Sequence, residues 1–340
     1  MMGTGNISFW KSALTESLLG RRGFVKRSTL WLPLALFLWS NSIDDLRSGF
    51  ILSIYLIVAV QCWGMACTMA NDLSDTKEDS AAGKDRWISH LSVNQGRLIV
   101  IIVLAIGLLS IVMAKCDPGI IISFVATSVL GSLYSMGPFR FKERGLLGLL
   151  AYSLSVAMIY VLVPWMLFKS GIELLIMLFL AVMLDKWVNL HFHQVVDYQG
   201  DLQMDIGTYA VRVGLERTRE SLRVASVLAS LAMITVIVYT ILLFNQERVW
   251  GVIIAITSIA VIAAVGIYIK YLKERSYNLS DLIKELSWIY LGLTYLLFRI
   301  LPPFILVYLA IIEPVMWILV TLSLLSLMGE SLYAIRYNHE

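Results

Sequence analysis

Apolar residues run in long blocks along almost the whole chain, and polar residues are confined to the stretches between them. A helix needs about 20 consecutive apolar residues to cross the hydrocarbon core of a bilayer. On that measure the pattern predicts helical spans at roughly 29–43, 49–71, 96–114, 119–136, 146–167, 171–196, 220–244, 249–271, 287–311 and 315–335. Their boundaries are good to about 2–4 residues. The first block is short. The ninth contains Arg299 and the Pro302-Pro303 pair, which withholds backbone donors and predicts a kink or break. The expected fold is an all-α, polytopic transmembrane bundle of nine or ten helices. Spans 1–4 and 5–8 read as two pseudo-repeated four-helix units around a central cavity.

Composition agrees. The 340 residues are 59% hydrophobic and only 15% charged, with a mean hydropathy of +0.78. An average soluble domain is about 25% charged, so this chain cannot cover a globule with polar surface and is solvated by lipid. The reading is a cytoplasmic N-terminal segment, residues 1–28, followed by one transmembrane domain, residues 29–336. Lys11, Arg21, Arg22, Lys26 and Arg27 precede the first span without a short apolar region and cleavage site, so no removable signal is expected. Cys62, Cys67 and Cys116 make no disulfide framework. Cys62 and Cys67 fall in an apolar block, as small buried hydrophobes do.

The net charge of +3 matters less than where the charges fall. Alternate connections are basic: Lys77, Lys84 and Arg86; then Arg140, Lys142 and Arg144; then Arg212 and Arg217; then Lys273, Arg275 and Lys284. The intervening connections carry only Arg47, Lys115, Lys169 and Arg248. By the positive-inside rule both termini and the long connections face the cytoplasm. The expected location is the plasma membrane of a bacterium. The long inner connections also hold nearly all the acidic residues, whereas a transporter usually keeps its ionisable groups near mid-membrane.

Two acidic arrays stand out. After the second span come Asn71-Asp72-Leu73-Ser74-Asp75-Thr76-Lys77-Glu78-Asp79. If the helix continues, Asp72, Asp75 and Asp79 share one face, and carboxylates so placed repel unless a cation lies between them. Mg²⁺ takes carboxylate oxygens and fills its other positions with waters and substrate phosphates. A solvated acidic loop is the plain alternative, and the position directly after a membrane span favours the metal. After the sixth span, Asp197, Asp201 and Asp205 recur at every fourth residue. The two arrays occupy equivalent places in the two four-span units, and such duplication is more informative than either array alone. Facing one another, they would bridge a diphosphate through several Mg²⁺ ions. A third segment, Tyr134 to Gly145, turns at Pro138 and offers Arg140 and Lys142 as phosphate donors. Ordinary positive-inside charges are the alternative for these residues, and for Lys84 and Arg86.

Together these segments resemble the UbiA family of intramembrane prenyltransferases. That family carries an N-D-x-x-D-x-x-x-D motif, here Asn71 to Asp79, and a Tyr-Ser-x-x-P-x-R-x-K-type segment, here Tyr134 to Lys142. Its D-x-x-x-D motif is Asp197 to Asp201, followed by Gly207-Thr208 and Ala210-Val211-Arg212-Val213-Gly214. The resemblance spans roughly residues 25–310. It implies a Mg²⁺-dependent transfer of a prenyl group from a polyprenyl diphosphate to a hydrophobic, aromatic or quinone-precursor acceptor, with no nucleic acid partner. The tail would lie in the cavity. Asp72, Asp75, Asp79, Asp197, Asp201 and Asp205 would hold the metal, with Asn71, Lys84, Arg86 and Arg212 on the diphosphate. Lys142, Arg140 and Tyr134 would serve the leaving group. The chain departs from the family at Gly83-Lys84-Asp85-Arg86-Trp87, which lacks the usual prolines, in the missing Arg-Pro near the first helix, and in the contracted spacing to Gly207-Thr208. These departures bear on the acceptor more than on the diphosphate. A membrane terpene cyclase, a phosphoribosyl transferase acting on polyprenyl phosphate, and a cation transporter are the alternatives. His191 and His193 point to different helical faces, so a structural role is expected of them rather than paired metal ligation. Arg299 is read either as part of an ion pair or as facing the cavity.

Overall fold

In lipid every backbone N–H and C=O must be paired within the protein, which leaves helices as the natural answer for blocks of this length. The computed structural model describes residues 28–40, 45–81, 86–115, 117–244, 248–275, 286 and 288–337, and among them there is no strand. The expected N-terminal segment, together with Lys84 and Cys116, lies outside the described residues, apart from Ser28. Each expected span carries helix. The first part of the chain gives α1 (Ser28–Ser40), α2 (Leu46–Ser74), the short α3 (Thr76–Ala81), α4 (Val93–Ala114) and α5 (Pro118–Ser135). Then come α6 (Leu146–Phe168), α7 (Ile172–Gln203), the short α8 (Tyr209–Val213) and α9 (Leu215–Leu243). The chain ends with α10 (Arg248–Arg275), α11 (Ile289–Ile312) and α12 (Trp317–Tyr337). Six of these, α2, α4, α5, α6, α9 and α11, are long and apolar enough to cross a membrane.

The two halves are built alike. α2 packs along α4 and α7 packs along α9, while α5 and α6 join the halves. Between helices in lipid there is little hydrophobic drive, so close approach rests on small residues and interhelical hydrogen bonds. A Cβ on Gly107 of α4 would meet Phe124 Cζ at 2.9 Å and Cys62 Cβ at 3.0 Å. Nearby, Ser110 Oγ donates to the Tyr55 carbonyl at 2.8 Å. Between α5 and α6, Thr127 Oγ1 donates to the Ser155 carbonyl at 2.7 Å.

α1 differs in kind. The 13 residues described for it rise about 20 Å. From Leu30 to Leu38 it is buried on every side, as an apolar helix inside a bundle is. Ser40 at its C-terminus donates to Ser170 Oγ at 2.7 Å, at the end of the bundle opposite the aspartate arrays.

α6 and α11 each contain a π-helical segment, Met158–Leu162 and Leu296–Ile300. Each ends two residues before a proline, Pro164 and the Pro302-Pro303 pair. Proline cannot donate to the carbonyl four residues back, and the wider i→i+5 turn takes up the disturbance while the helix continues. The expected break in the ninth span is thus a π-bulge.

Replacing Gly107 by Val should force α4 off α2 and cost about 1–3 kcal/mol, the usual range for overpacking. Ile106→Val, on the outward face of the same turn, should cost far less. Thermal unfolding of the two variants in detergent, compared with the parent, measures the difference.

Candidate active site

α2, α5, α6 and α7 enclose a cavity of about 840 Å³. On α2, Gly64, Cys67, Thr68, Asn71 and Asp75 recur at helical spacing and line it as one stripe. The helix turns at Asp75, and Asp79 on α3 continues the stripe. On α7 the stripe runs through Lys186, Asn189, His193, Asp197 and Asp201. The two aspartate arrays therefore stand on opposite walls at one mouth.

Between the arrays lies the turn that precedes α6. Arg140 adopts a left-handed conformation (φ 40°), which lifts the chain so that Lys142, buried, reaches into the mouth. The Lys142 ammonium bonds Asp75 Oδ1 directly. Arg140 Nη2 lies 3.2 Å from the same oxygen and its Nη1 lies 3.0 Å from Glu143. Glycine is required next to this turn: a Cβ at Gly148 would come within 2.6 Å of the Phe141 carbonyl oxygen. Tyr134 lines the wall beside Tyr152, their ring centroids 5.7 Å apart. Asn71 accepts from Ser135 Oγ at 2.8 Å, and Asp201 accepts from Thr208 Oγ1 at 3.1 Å.

Burial pushes the Asp201 carboxyl above its ordinary range. The Thr208 hydrogen bond opposes that shift, Asp197 adds to it, Lys142 opposes it, and Asp75 on the facing wall adds to it. Asp201 thus senses both the lysine and the opposite array. The sequence model of the UbiA prenyltransferase family matches residues 28–288. The chain belongs to that family. Solved structures share the fold at low identity. A UbiA homolog from Archaeoglobus fulgidus, bound to GPP and Mg²⁺, has a TM-score of 0.57 at 16% identity, covering 92% of this chain and 99% of its own. A digeranylgeranylglyceryl phosphate synthase has a TM-score of 0.57 at 15% identity, with coverage of 86% and 97%. The apo structure of a UbiA homolog from Aeropyrum pernix K1 has a TM-score of 0.56 at 15% identity, with coverage of 80% and 96%. No curated protein sequence matches the chain.

Within the UbiA fold this structure sorts the residues singled out from sequence. Asn71, Asp75, Asp79, Tyr134, Lys142, Asp197 and Asp201 all line the cavity. Asp72 does not: it lies one position off the α2 stripe and is fully buried. Asp205 follows the end of α7, has φ 52° and is exposed away from the wall, because the helix that would have carried it onto the Asp197–Asp201 face has already ended. Arg86 is buried behind the wall, its Nε 3.3 Å from Asp79 Oδ2. Arg140 reaches the site through Asp75. Arg212 is directed elsewhere: its Nη2 donates to the Glu143 carbonyl at 2.7 Å and its Nε to the Gly207 carbonyl at 2.9 Å. His191 and His193 do diverge. His193 lines the cavity, whereas His191 is buried, with Nε2 3.2 Å from Ser221 Oγ and Nδ1 3.3 Å from the Trp187 carbonyl. The Arg299 guanidinium lies over the Tyr295 ring at 5.3 Å, off the cavity wall.

One pair escaped the sequence reading. Lys186 lines the cavity deep in α7 and its Nζ is 2.9 Å from Asp185 Oδ2. Two adjacent charges inside an expected span were the available signal, since ionisable residues in a membrane segment are functional by default.

Arg212→Ala should leave the cavity wall intact and release the carbonyls of Glu143 and Gly207. Hydrogen exchange should rise in residues 139–145 and 205–214, and Arg212→Lys should not restore protection, because lysine lacks the planar fork. Unchanged exchange in both segments would show that the guanidinium braces nothing.

Proposed function

We propose that this protein transfers a prenyl group from a prenyl diphosphate to an acceptor within the membrane, in a Mg²⁺-dependent reaction, with the carboxylate mouth facing the cytoplasm. The observation that carries the reading is the mouth itself: Asp75 and Asp79 on one wall, Asp197 and Asp201 on the other, and Lys142 between them, at the entrance of a cavity set in a lipid-solvated bundle.

The donor set fits the metal. Carboxylate oxygens and the Asn71 amide oxygen are hard ligands of the kind Mg²⁺ selects, and Mg²⁺ is usually held by one or two carboxylates plus substrate phosphates. Asp75, Asp79, Asp197 and Asp201 would hold the ions, which supply positive charge against the leaving diphosphate. The homologs solved with GPP or DMAPP and Mg²⁺ support the same donor class. Lys142 presents its ammonium where negative charge grows as the allylic C–O bond breaks and its electron pair departs with the diphosphate. Arg140 and Glu143 hold the turn that aims it. The acceptor's electron pair then captures the carbocation, and the acceptor loses a proton. Trp63, Val156 and Tyr160 line the deeper wall and keep water from capturing the cation first.

Two outcomes test this function. Purified protein supplied with Mg²⁺, geranyl diphosphate and a panel of aromatic acceptors should release diphosphate and form a prenylated acceptor. EDTA should abolish the reaction, and Asp75→Asn or Asp197→Asn should each weaken Mn²⁺ binding, followed by electron paramagnetic resonance, with Asp205→Asn as the silent control. A product containing no acceptor would move the protein to the cyclases instead.

Lys142→Ala should lower turnover by a factor of about 10²–10³. The loss should be the same for every acceptor, because all reactions share the ionisation step. Rates measured with two acceptors decide the matter: a loss confined to one would make Lys142 an acceptor contact.

A further inference from the structure

A buried polar group needs a partner, and several of those along the cavity wall find one within the protein. Thr68 Oγ1 on α2 donates to the Gly64 carbonyl at 2.8 Å, and Ser155 Oγ on α6 donates to the Tyr152 carbonyl at 2.9 Å. Asn71 Oδ1 accepts from Ser135. Bonds of this kind close locally and ask nothing of a ligand.

Gln194 on α7 is different. It lines the cavity and is 5% exposed, yet its Oε1 is buried with no hydrogen-bond partner among the described residues. Gln194 precedes Asp197 by three residues and Asp201 by seven, so the three share one face of the helix. Gln194 stands about 4.5 Å further from the mouth than Asp197. A buried carbonyl oxygen without a donor destabilises the fold, and leucine or methionine would fill the same space without that cost. The terminal amide turns on a broad, two-fold torsion, so a ligand that donates a hydrogen bond can draw the oxygen round to face the cavity.

We propose that Gln194 selects the acceptor: its amide oxygen takes a hydrogen bond from a hydroxyl on an aromatic acceptor and sets that ring beside the breaking C–O bond. The proposal rests on the prenyl-transfer reading above. Depth and chemistry agree on it. The reacting carbon is the one attached to the diphosphate at the mouth, and the acceptor has to come within about 3–3.5 Å of it. A group one helical turn in from Asp197 stands at that level. The carboxylates would draw a cationic donor past Gln194 to the mouth, which leaves a neutral O–H. A ring hydroxyl also feeds electrons to the carbons beside and opposite it, and those are the carbons that capture a carbocation. The ring supplies the electron pair of the new C–C bond, and its C–H proton passes to the released diphosphate. Gln194 holds the ring in place throughout and neither gives nor takes a proton.

The test uses the purified full-length protein with Mg²⁺ and geranyl diphosphate. Phenol, para-cresol and alpha-naphthol are each offered beside the corresponding methyl ether, which keeps the electron-rich ring and loses the O–H. For each phenol used, kcat/KM should exceed that of its ether by about 10–100-fold, the effect of leaving a buried acceptor unpaired. Gln194→Met and Gln194→Leu should each bring that ratio close to one. Both should unfold in detergent at or above the parental temperature, because the orphaned oxygen is gone. A packing role would not join lost selectivity to retained stability. A folded variant with the parental ratio overturns the proposal, as does a parent that uses ethers as well as phenols, or a loss of stability in both variants. If the protein prenylates only acceptors without a hydroxyl, the contact falls and prenyl transfer stands. If it prenylates no acceptor at all, the prenyl-transfer reading falls, and the contact with it.

Discussion

Four carboxylates gathered at the mouth of a lipid-solvated bundle repel one another, and the rest of the site is arranged around that repulsion. The answer among the described residues is a set of cations brought in by turns. Lys142 and Arg140 share Asp75, and Arg86 takes Asp79. On the other wall the neutral Thr208 hydroxyl takes Asp201, whose carboxyl is still held above its ordinary range by burial. The site is thus charge-compensated on one wall and under-compensated on the other. That asymmetry favours a ligand bringing positive charge to the α7 side and accepting Lys142 on the other, as a metal-bound diphosphate would.

The scaffold lets turns do this because it is stiff elsewhere. Backbone satisfaction in lipid fixes the spans as helices, and glycines such as Gly107 let them pack closely beside the cavity. Some departures from regular helix border the cavity. Around the mouth they are the left-handed Arg140 and the glycines that crowd its turn; deeper in the bundle they are the two π-segments ahead of prolines. Regular helix presents a side chain only on the period its geometry allows. Aiming Lys142 and Tyr160 at a common space takes these irregularities.

Much of this was legible in the sequence for physical reasons. Apolar blocks of membrane length could only be helices, and the aspartates at turn spacing could only share a face while the helix lasted. The structure departs from the sequence pattern where a helix stops and where one residue shifts the face. Asp205 was placed on the face of Asp197 and Asp201, but α7 ends at Gln203. Asp72 was grouped with Asp75 and Asp79, yet the wall stripe continues through Asn71, and a one-residue offset on a helix rotates a side chain by about 100°. Arg212 and Lys142 read alike, as basic residues beside a motif. Only the fold of the connecting turns distinguishes a cation aimed into the cavity from one closing a loop. The Asp185–Lys186 pair has no motif or spacing of its own, and only its place inside a span marks it.

The separation of the two arrays cannot be set by either array, since each is carried by its own helix. It falls to the connection between α5 and α6, residues 136–145, which joins the two halves of the chain. That connection touches both halves. Lys142 and Arg140 bind Asp75 in the first, and the Glu143 carbonyl accepts from Arg212 in the second. Gly148 lets α6 start hard against it. A shift of this turn would therefore move Lys142 and the spacing of both carboxylate walls together. The segment that looks in sequence like a short basic linker is the part of the molecule that makes two separate aspartate motifs into one site.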